Sequence, residues 1–209
     1  MKKIILIGAG GYAKSVVDSL KHRGEPIAGF LEQFAQIDEH LGYPVIARGV
    51  DDMERPENYR WFICVGNNRF RRRWYERLRQ RNLQIINVID PTAVISDGAT
   101  LGEGCFVGKQ AVVNAGVTVR DNVIINTRAI VEHGCTIAEH ANVSTGAIVN
   151  GDVRIGEGAF IGSRSVVVGQ LQIGDWSVIG AGAVVVRDVD QRITVVGCPA
   201  REIGGKEKK

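Results

Sequence analysis

Every sixth residue between Ile89 and Asp190 is aliphatic, and the register never slips: Ile89, Ile95, Leu101, Val107, Val113, Val119, Ile125, Val131, Ile137, Val143, Val149, Ile155, Ile161, Val167, Ile173, Ile179 and Val185. The fifth positions of the same hexads are mostly small, as at Ala93, Ala99, Cys105, Ala111 and Ala129, and Gly or Asn recurs at the second or fourth. Helix faces recur every 3.6 residues and strand faces every 2, so neither an amphipathic helix nor an ordinary sheet holds a period of six. A parallel β-helix does. Three short strands per coil make a triangular prism in which residues eighteen apart stack at roughly 4.8 Å. The large aliphatics fill its interior and the small residues fit at its bends. Seventeen hexads make nearly six coils, a prism about 27 Å long at that spacing. Each coil pairs with the next, as in any solenoid. The flat faces stay partly apolar, which predicts oligomerisation.

The chain ahead of the repeat reads differently. Residues 3–7 form a buried strand, Gly8-Ala9-Gly10-Gly11 a turn, and Ala13, Val16, Val17 and Leu20 the apolar face of a helix. A second strand, Ile27 to Leu31, ends at Glu32. This is the opening of a mononucleotide-binding unit, in which glycines let a phosphate approach a helix N-terminus and an acid after the second strand holds a ribose. Ala13 stands where the last glycine of the dinucleotide fingerprint belongs, and fewer than ninety residues leave no room for a second half. A nucleotide-linked or free sugar is therefore favoured over NAD, and a turn used only for packing is the plain alternative. Residues 33–58 carry weak signals, with a turn at Gly42-Tyr43-Pro44. A third strand, Trp61 to Val65, runs into Gly66-Asn67-Asn68. In the helix that follows, Phe70, Trp74 and Leu78 are the expected packing stripe, and the arginines at 69, 71, 72, 73, 77 and 79 a solvated face. A fourth strand, Gln84 to Val88, feeds the prism at Asp90-Pro91.

Composition excludes some classes. A net charge of +3 over 209 residues gives no ground for nucleic-acid binding. Cys64, Cys105, Cys135 and Cys198 lack metal-ligand spacing and read as reduced thiols of a cytoplasmic protein. The opening MKKIILIG is too short for a signal peptide or a membrane span.

Chemistry belongs where the repeat carries residues it does not need. The prism holds two histidines, His133 and His140. His133 is the third residue of its hexad, an outward position beside a bend. Histidine is the natural general base at neutral pH, because its ordinary pKa of about 6.5 leaves it able to take a proton. A surface or interface histidine is the plain alternative. Gly151 lies eighteen residues on, at the same corner, where its N–H could polarise a carbonyl. Thr145, Ser163 and Ala181 form another ladder, which either leaves room for an extended ligand or merely suits the bends. His22 and His40 are expected to be structural.

The glycine-turn unit and uninterrupted prism, with Asn126-Thr127-Arg128, Glu132-His133-Gly134, Asn150-Gly151-Asp152-Val153, Gly169-Gln170-Leu171 and Gly197-Cys198-Pro199-Ala200-Arg201, resemble the NeuD family of sialic acid biosynthesis acetyltransferases. The chain is also similar to PglD-type enzymes, which N-acetylate UDP-4-amino sugars. The resemblance implies an α/β N-terminal mononucleotide-binding unit (1–88), a left-handed parallel β-helix of hexapeptide repeats (89–190) and a C-terminal loop and tail (191–209). It implies a homotrimer without a metal, acetyl-CoA between neighbouring prisms, and a sugar or sugar nucleotide near the N-terminal unit. His133 would be the base for direct transfer without an acyl-enzyme. Asn142, Ser163 and Ala181 would contact the coenzyme, with the Gly197 to Arg201 loop, Pro199 included, folded beside it. Gly10, Gly11, Tyr12, Glu32 and Gly66 would hold the substrate. The N-acetylating branch has an acid directly after its histidine, where this chain has Gly134, and histidines where it has Asn142 and Tyr12. These departures favour transfer to a hydroxyl of a sialic-acid-type sugar, with the UDP-4-amino sugar as the alternative. A γ-type carbonic anhydrase would need three imidazole ligands, and a non-catalytic scaffold of a polysaccharide assembly is the remaining reading.

Overall fold

The computed structural model describes residues 1–203. It divides into two compact units, Met1–Pro91 and a second beginning at Thr92. The last six residues of the expected C-terminal tail, 204–209, lie outside the described residues.

The first unit is a sheet flanked by helices. Its elements are β1 (Ile4–Ile7), α1 (Gly11–His22), β2 (Ile27–Leu31), β3 (Glu39–His40), β4 (Tyr43–Ala47), β5 (Arg60–Ile63), α2 (Asn68–Gln80) and β6 (Gln84–Ile85). The strand order is β3-β4-β2-β1-β5-β6. β1 is central, parallel to β2 (Leu6↔Phe30) and to β5 (Leu6↔Phe62). All four of its residues are buried, as befits a strand covered on both faces. Ile5, Ile7, Leu31, Trp61, Ile63, Tyr75 and Leu78 form one core cluster, and α1 buries Ala13, Val16, Val17 and Leu20. Because β2 and β5 lie on opposite sides of β1, the chain reverses direction across the sheet at β1, and the carboxyl ends of these three strands make the crevice where such sheets take ligands.

Two expectations for this unit need correction. The stretch 33–58 contains a real hairpin, β3 with β4, and β4 pairs in parallel with β2. Its signal is weak because β3 is two residues long and Pro44 interrupts the β4 pattern. The face of α2 is also misassigned: Asn68, Arg71, Tyr75 and Leu78 are buried, whereas Phe70 is 51% exposed. Arg71 turns inward because its guanidinium donates to Asn68 Oδ1 (2.9 Å) and the Gly66 carbonyl (3.2 Å), which the end of β5 leaves unpaired by the sheet.

The second unit is the prism. Two-residue strands pair in parallel with strands eighteen positions away, as in Val112↔Ile130, Thr118↔Thr136 and Ile124↔Asn142. The inward residues from Val107 to Val185 are almost wholly buried, and Ile95 and Leu101 are half-buried because no coil covers the first turn. The Gly and Asn bias at the fourth position has a backbone cause: that residue is left-handed, as at Gly134 (φ 68°), Asp152 (φ 60°) and Gly146 (φ 67°).

The three faces are chemically distinct. One presents Val94, Val112, Ile130, Ile148, Val166 and Val184, all at least partly exposed. The next along the chain presents Thr100, Thr118, Thr136, Arg154 and Gln172. The third presents Phe106, Ile124, Asn142, Phe160 and Val178.

Candidate functional site

At the corner between the aliphatic and threonine faces the structure brings His133 and Gly151 together. The His133 side chain is exposed and leans along the prism over Gly151. A methyl group built on Gly151 would sit 2.5 Å from Cε1 and 2.7 Å from Nε2 of His133, so the ring rests where only glycine leaves space. The Gly151 carbonyl accepts from Gln170 N (2.9 Å), and its N–H donates to nothing among the described residues. An imidazole and an unused backbone donor thus share one small patch, the arrangement that takes a proton and steadies an oxyanion.

His140 is different. It is 6% exposed, at the corner between the threonine and third faces, and its Nδ1 lies 2.8 Å from Asn122 Nδ2. The remaining coenzyme candidates are not beside His133 in one chain. Ser163 and Ala181, with Thr145, are exposed at the corner between the third and aliphatic faces, a full hexad from the His133 corner, roughly 15 to 20 Å at the strand rise. Asn142 is buried on the third face, with Ser144 Oγ 3.4 Å from its Oδ1. Gly197 and Pro199 lie in the loop at the end of the prism, where Val184 N donates to the Gly197 carbonyl (2.9 Å) and Ala200 N donates to Val184 (2.8 Å). The two sets of corners flank the same aliphatic face.

The first unit carries the expected crevice. A cavity of about 460 Å³ is lined at the strand ends by Ile7, Gly8, Leu31, Glu32 and Val65, and from α2 by Phe70, Arg73, Trp74 and Arg77. This lining was missed in the sequence because Phe70 and Trp74 were assigned to core packing and Arg73 and Arg77 to a solvated face, whereas all four line the cavity. Phe34, 78% exposed, closes the list of aromatic walls. A side chain built on Gly10, Gly11 or Gly66 would meet nothing within 4 Å, so packing within the chain does not demand these glycines. Gly10 and Gly11 leave bare backbone at the N-terminus of α1, where anions bind, and Gly66 does so between β5 and α2. Gly8, in contrast, has φ +95° and lies against Val65 and the Cys64 carbonyl. Tyr12, in the first turn of α1, is half-buried.

Glu32 has a structural role of its own. Its carboxylate accepts from Ala9 N (2.8 Å), Phe34 N (2.9 Å) and Ala35 N (3.1 Å), tying the glycine turn to the loop after β2. Burial opposes its ionisation, but those donors and Arg48 outweigh it and hold its pKa below the usual carboxylate value. A lowered folded-state pKa contributes stability above the unfolded value of about 4.3, and that contribution is lost as pH falls through the folded value. Glu32→Gln should therefore melt below the wild type near pH 7, with the gap closing below about pH 4. Thermal melts across that range check it. Three of roughly four acceptor positions on the carboxylate are used, leaving one for a ligand hydroxyl.

Among the described residues no group of three or more His, Cys, Asp or Glu side chains is placed to hold a metal ion. Burial pushes the Cys64 and Cys135 thiols up, which makes them poor nucleophiles. None of the described helices is long and apolar enough to cross a membrane.

Comparison with known proteins adds the following. Residues 3–78 match the PglD N-terminal domain, residues 98–127 the hexapeptide repeat of succinyl-transferase, and residues 152–187 the bacterial transferase hexapeptide (six repeats). A mutant of perosamine N-acetyltransferase from Caulobacter crescentus, in complex with CoA and GDP-perosamine, is 33% identical and superposes with a TM-score of 0.92 over 97% of each chain. The acetyltransferase domain of PglB from Neisseria gonorrhoeae, in complex with acetyl coenzyme A, is 35% identical with a TM-score of 0.92, over 97% of this chain and 99% of that one. UDP-N-acetylbacillosamine N-acetyltransferase of Bacillus subtilis is 32% identical over 114 residues, 51% of this chain and 51% of that protein. The chain spans about half or less of the length of the curated relatives it matches.

Proposed function

Because the chain belongs to the PglD-type family of hexapeptide-repeat acetyltransferases, we propose that it moves the acetyl group of acetyl-CoA to the amine of a nucleotide-linked amino sugar, with His133 as general base. The observation that carries the reading is the His133 ring resting on Gly151, whose N–H is unused. The amine attacks the thioester carbonyl, and His133 takes its proton. The Gly151 N–H stabilises the oxyanion; collapse breaks the C–S bond, and the imidazolium returns the proton to the departing thiolate.

This takes the amine, the alternative acceptor of the sequence analysis, over the hydroxyl of a sialic-acid-type sugar. Support comes from the similar proteins, which are named as N-acetyltransferases of perosamine and of a UDP-linked bacillosamine. The crevice of the first unit suits the nucleotide: Gly10, Gly11 and Gly66 offer backbone to phosphates, Glu32 keeps one acceptor position, and Phe70 and Trp74 offer rings to a base.

The partner reading is a homotrimer. Base and coenzyme ladder flank one aliphatic face, so packing that face around a three-fold axis sets the His133 corner of one copy against the Ser163 and Ala181 corner of the next. Acetyl-CoA would lie between them, running toward Gly197 and Pro199.

Thiol release from acetyl-CoA in the presence of GDP-perosamine, a UDP-4-amino sugar, CMP-sialic acid or free sialic acid tests the acceptor. Release with one of the amino-sugar nucleotides is expected; release with the sialic acids alone would restore the hydroxyl reading. Gly151→Ala is a second check. Its backbone is not left-handed, so alanine fits the fold, but the methyl group displaces the ring, and kcat should fall about a hundredfold.

A further inference from the structure

The corner that holds His133 contains a second crossing contact, in the opposite direction. Residues 133 and 134 stack on 151 and 152 one coil along, and the backbone joins them, Asp152 N donating to the His133 carbonyl (2.9 Å). The imidazole of His133 leans forward over Gly151. The carboxylate of Asp152 leans back over Gly134, with Oδ1 inside the volume that any side chain at 134 would occupy. Each of the two functional groups therefore rests on a glycine belonging to the other's coil. Their two columns are consecutive chain positions, about 3.8 Å apart at the backbone.

The left-handed backbone at 152 admits an aspartate but gives its carboxylate no partner, unlike the aspartates at the preceding hexad position of other corners. Asp121 and Asp175 also reach back one coil, and each accepts a backbone N–H there, Glu103 N (3.0 Å) and Glu157 N (2.9 Å). Asp152 accepts none, and its carboxylate makes no hydrogen bond or ion pair among the described residues. The neighbouring acid, Glu132, is occupied by Asn114 Nδ2 at 2.8 Å. Asp152 is thus the uncommitted carboxylate at this corner.

We propose that Asp152 is the positioning and charge-compensating residue for His133, supplying from the next coil the acid that does not follow the histidine in sequence. When His133 has taken the amine's proton, the carboxylate, one chain position aside in the next coil, steadies the imidazolium by its negative charge. No covalent step is involved, and the proton stays on the imidazole until the thiolate leaves. The inference rests on the reading of His133 as base.

The experiment compares His133→Ala, Asp152→Asn and the exchange Gly134→Asp/Asp152→Gly under saturating acetyl-CoA, with the amino-sugar nucleotide that gives thiol release. Both exchanged positions are left-handed (φ 68° and 60°), a conformation glycine prefers and aspartate tolerates. Asp152→Asn should lose ten- to a hundredfold in kcat with both KM values and the melting midpoint unchanged. The exchange should restore most of the loss, which a merely structural aspartate would not permit. Wild-type kcat in Asp152→Asn, alongside an inactive His133→Ala, would overturn the role of Asp152 and leave the base intact. An active His133→Ala would overturn the base itself. If Asp152→Asn does not fold, the exchange decides alone: activity supports the relocated carboxylate, and a folded, inactive exchange contradicts it.

Discussion

His133→Ala should retain the fold and the coenzyme but lose acetyl transfer by a factor of about a hundred or more in kcat, the scale of a removed general base. The expectation is sharp because the side chain does so little else. It is exposed, and among the described residues it makes no side-chain hydrogen bond or ion pair, so its loss leaves no buried group unsatisfied. His140→Ala is the contrast: it removes a partner of buried Asn122 and should cost about 1 to 3 kcal/mol of stability, with little change in turnover by the molecules that remain folded. Steady-state kinetics and thermal melts on the two variants separate the roles.

The second large effect concerns assembly. Ile148→Arg should leave each chain folded and abolish both oligomer and activity. Ile148 points outward from the aliphatic face and is half-buried in a single chain, so an arginine there finds water in the monomer. In a trimer packed through that face, the substitution buries three unpaired cations near one axis, each costing several kcal/mol. Thr118→Arg, on the polar face, should change neither property. Sedimentation with a parallel assay reads both. Retained activity in a monomeric Ile148→Arg would mean that one chain holds the complete site, contrary to the separation of His133 from the Ser163 and Ala181 corner.

How far the sequence carries depends on how local the governing physics is. In the prism, a residue's environment follows from its place in the hexad, so inward aliphatics, small corners and the outward His133 are all legible. The left-handed fourth position explains even the glycines and asparagines that break up the pattern. In the first unit, β1, α1 and β2 were legible for the same reason. The face of α2 was not, because Arg71 is buried by carbonyls at the end of β5, a partner no helical period reveals. Glu32 was legible as a ligand candidate, but its grip on Ala9 N depends on two loops meeting at the sheet edge. Asp152 was invisible as a partner of His133 because it stands nineteen positions away, and only the coil stacking makes 134 and 152 neighbours.

A crystal structure of the protein with acetyl-CoA bound tests the account most directly. The thioester carbonyl oxygen should lie about 3 Å from Gly151 N, beside the His133 ring, with the pantetheine arm against Ser163 and Ala181 of the adjacent copy. A thioester out of reach of His133 in every copy would contradict it.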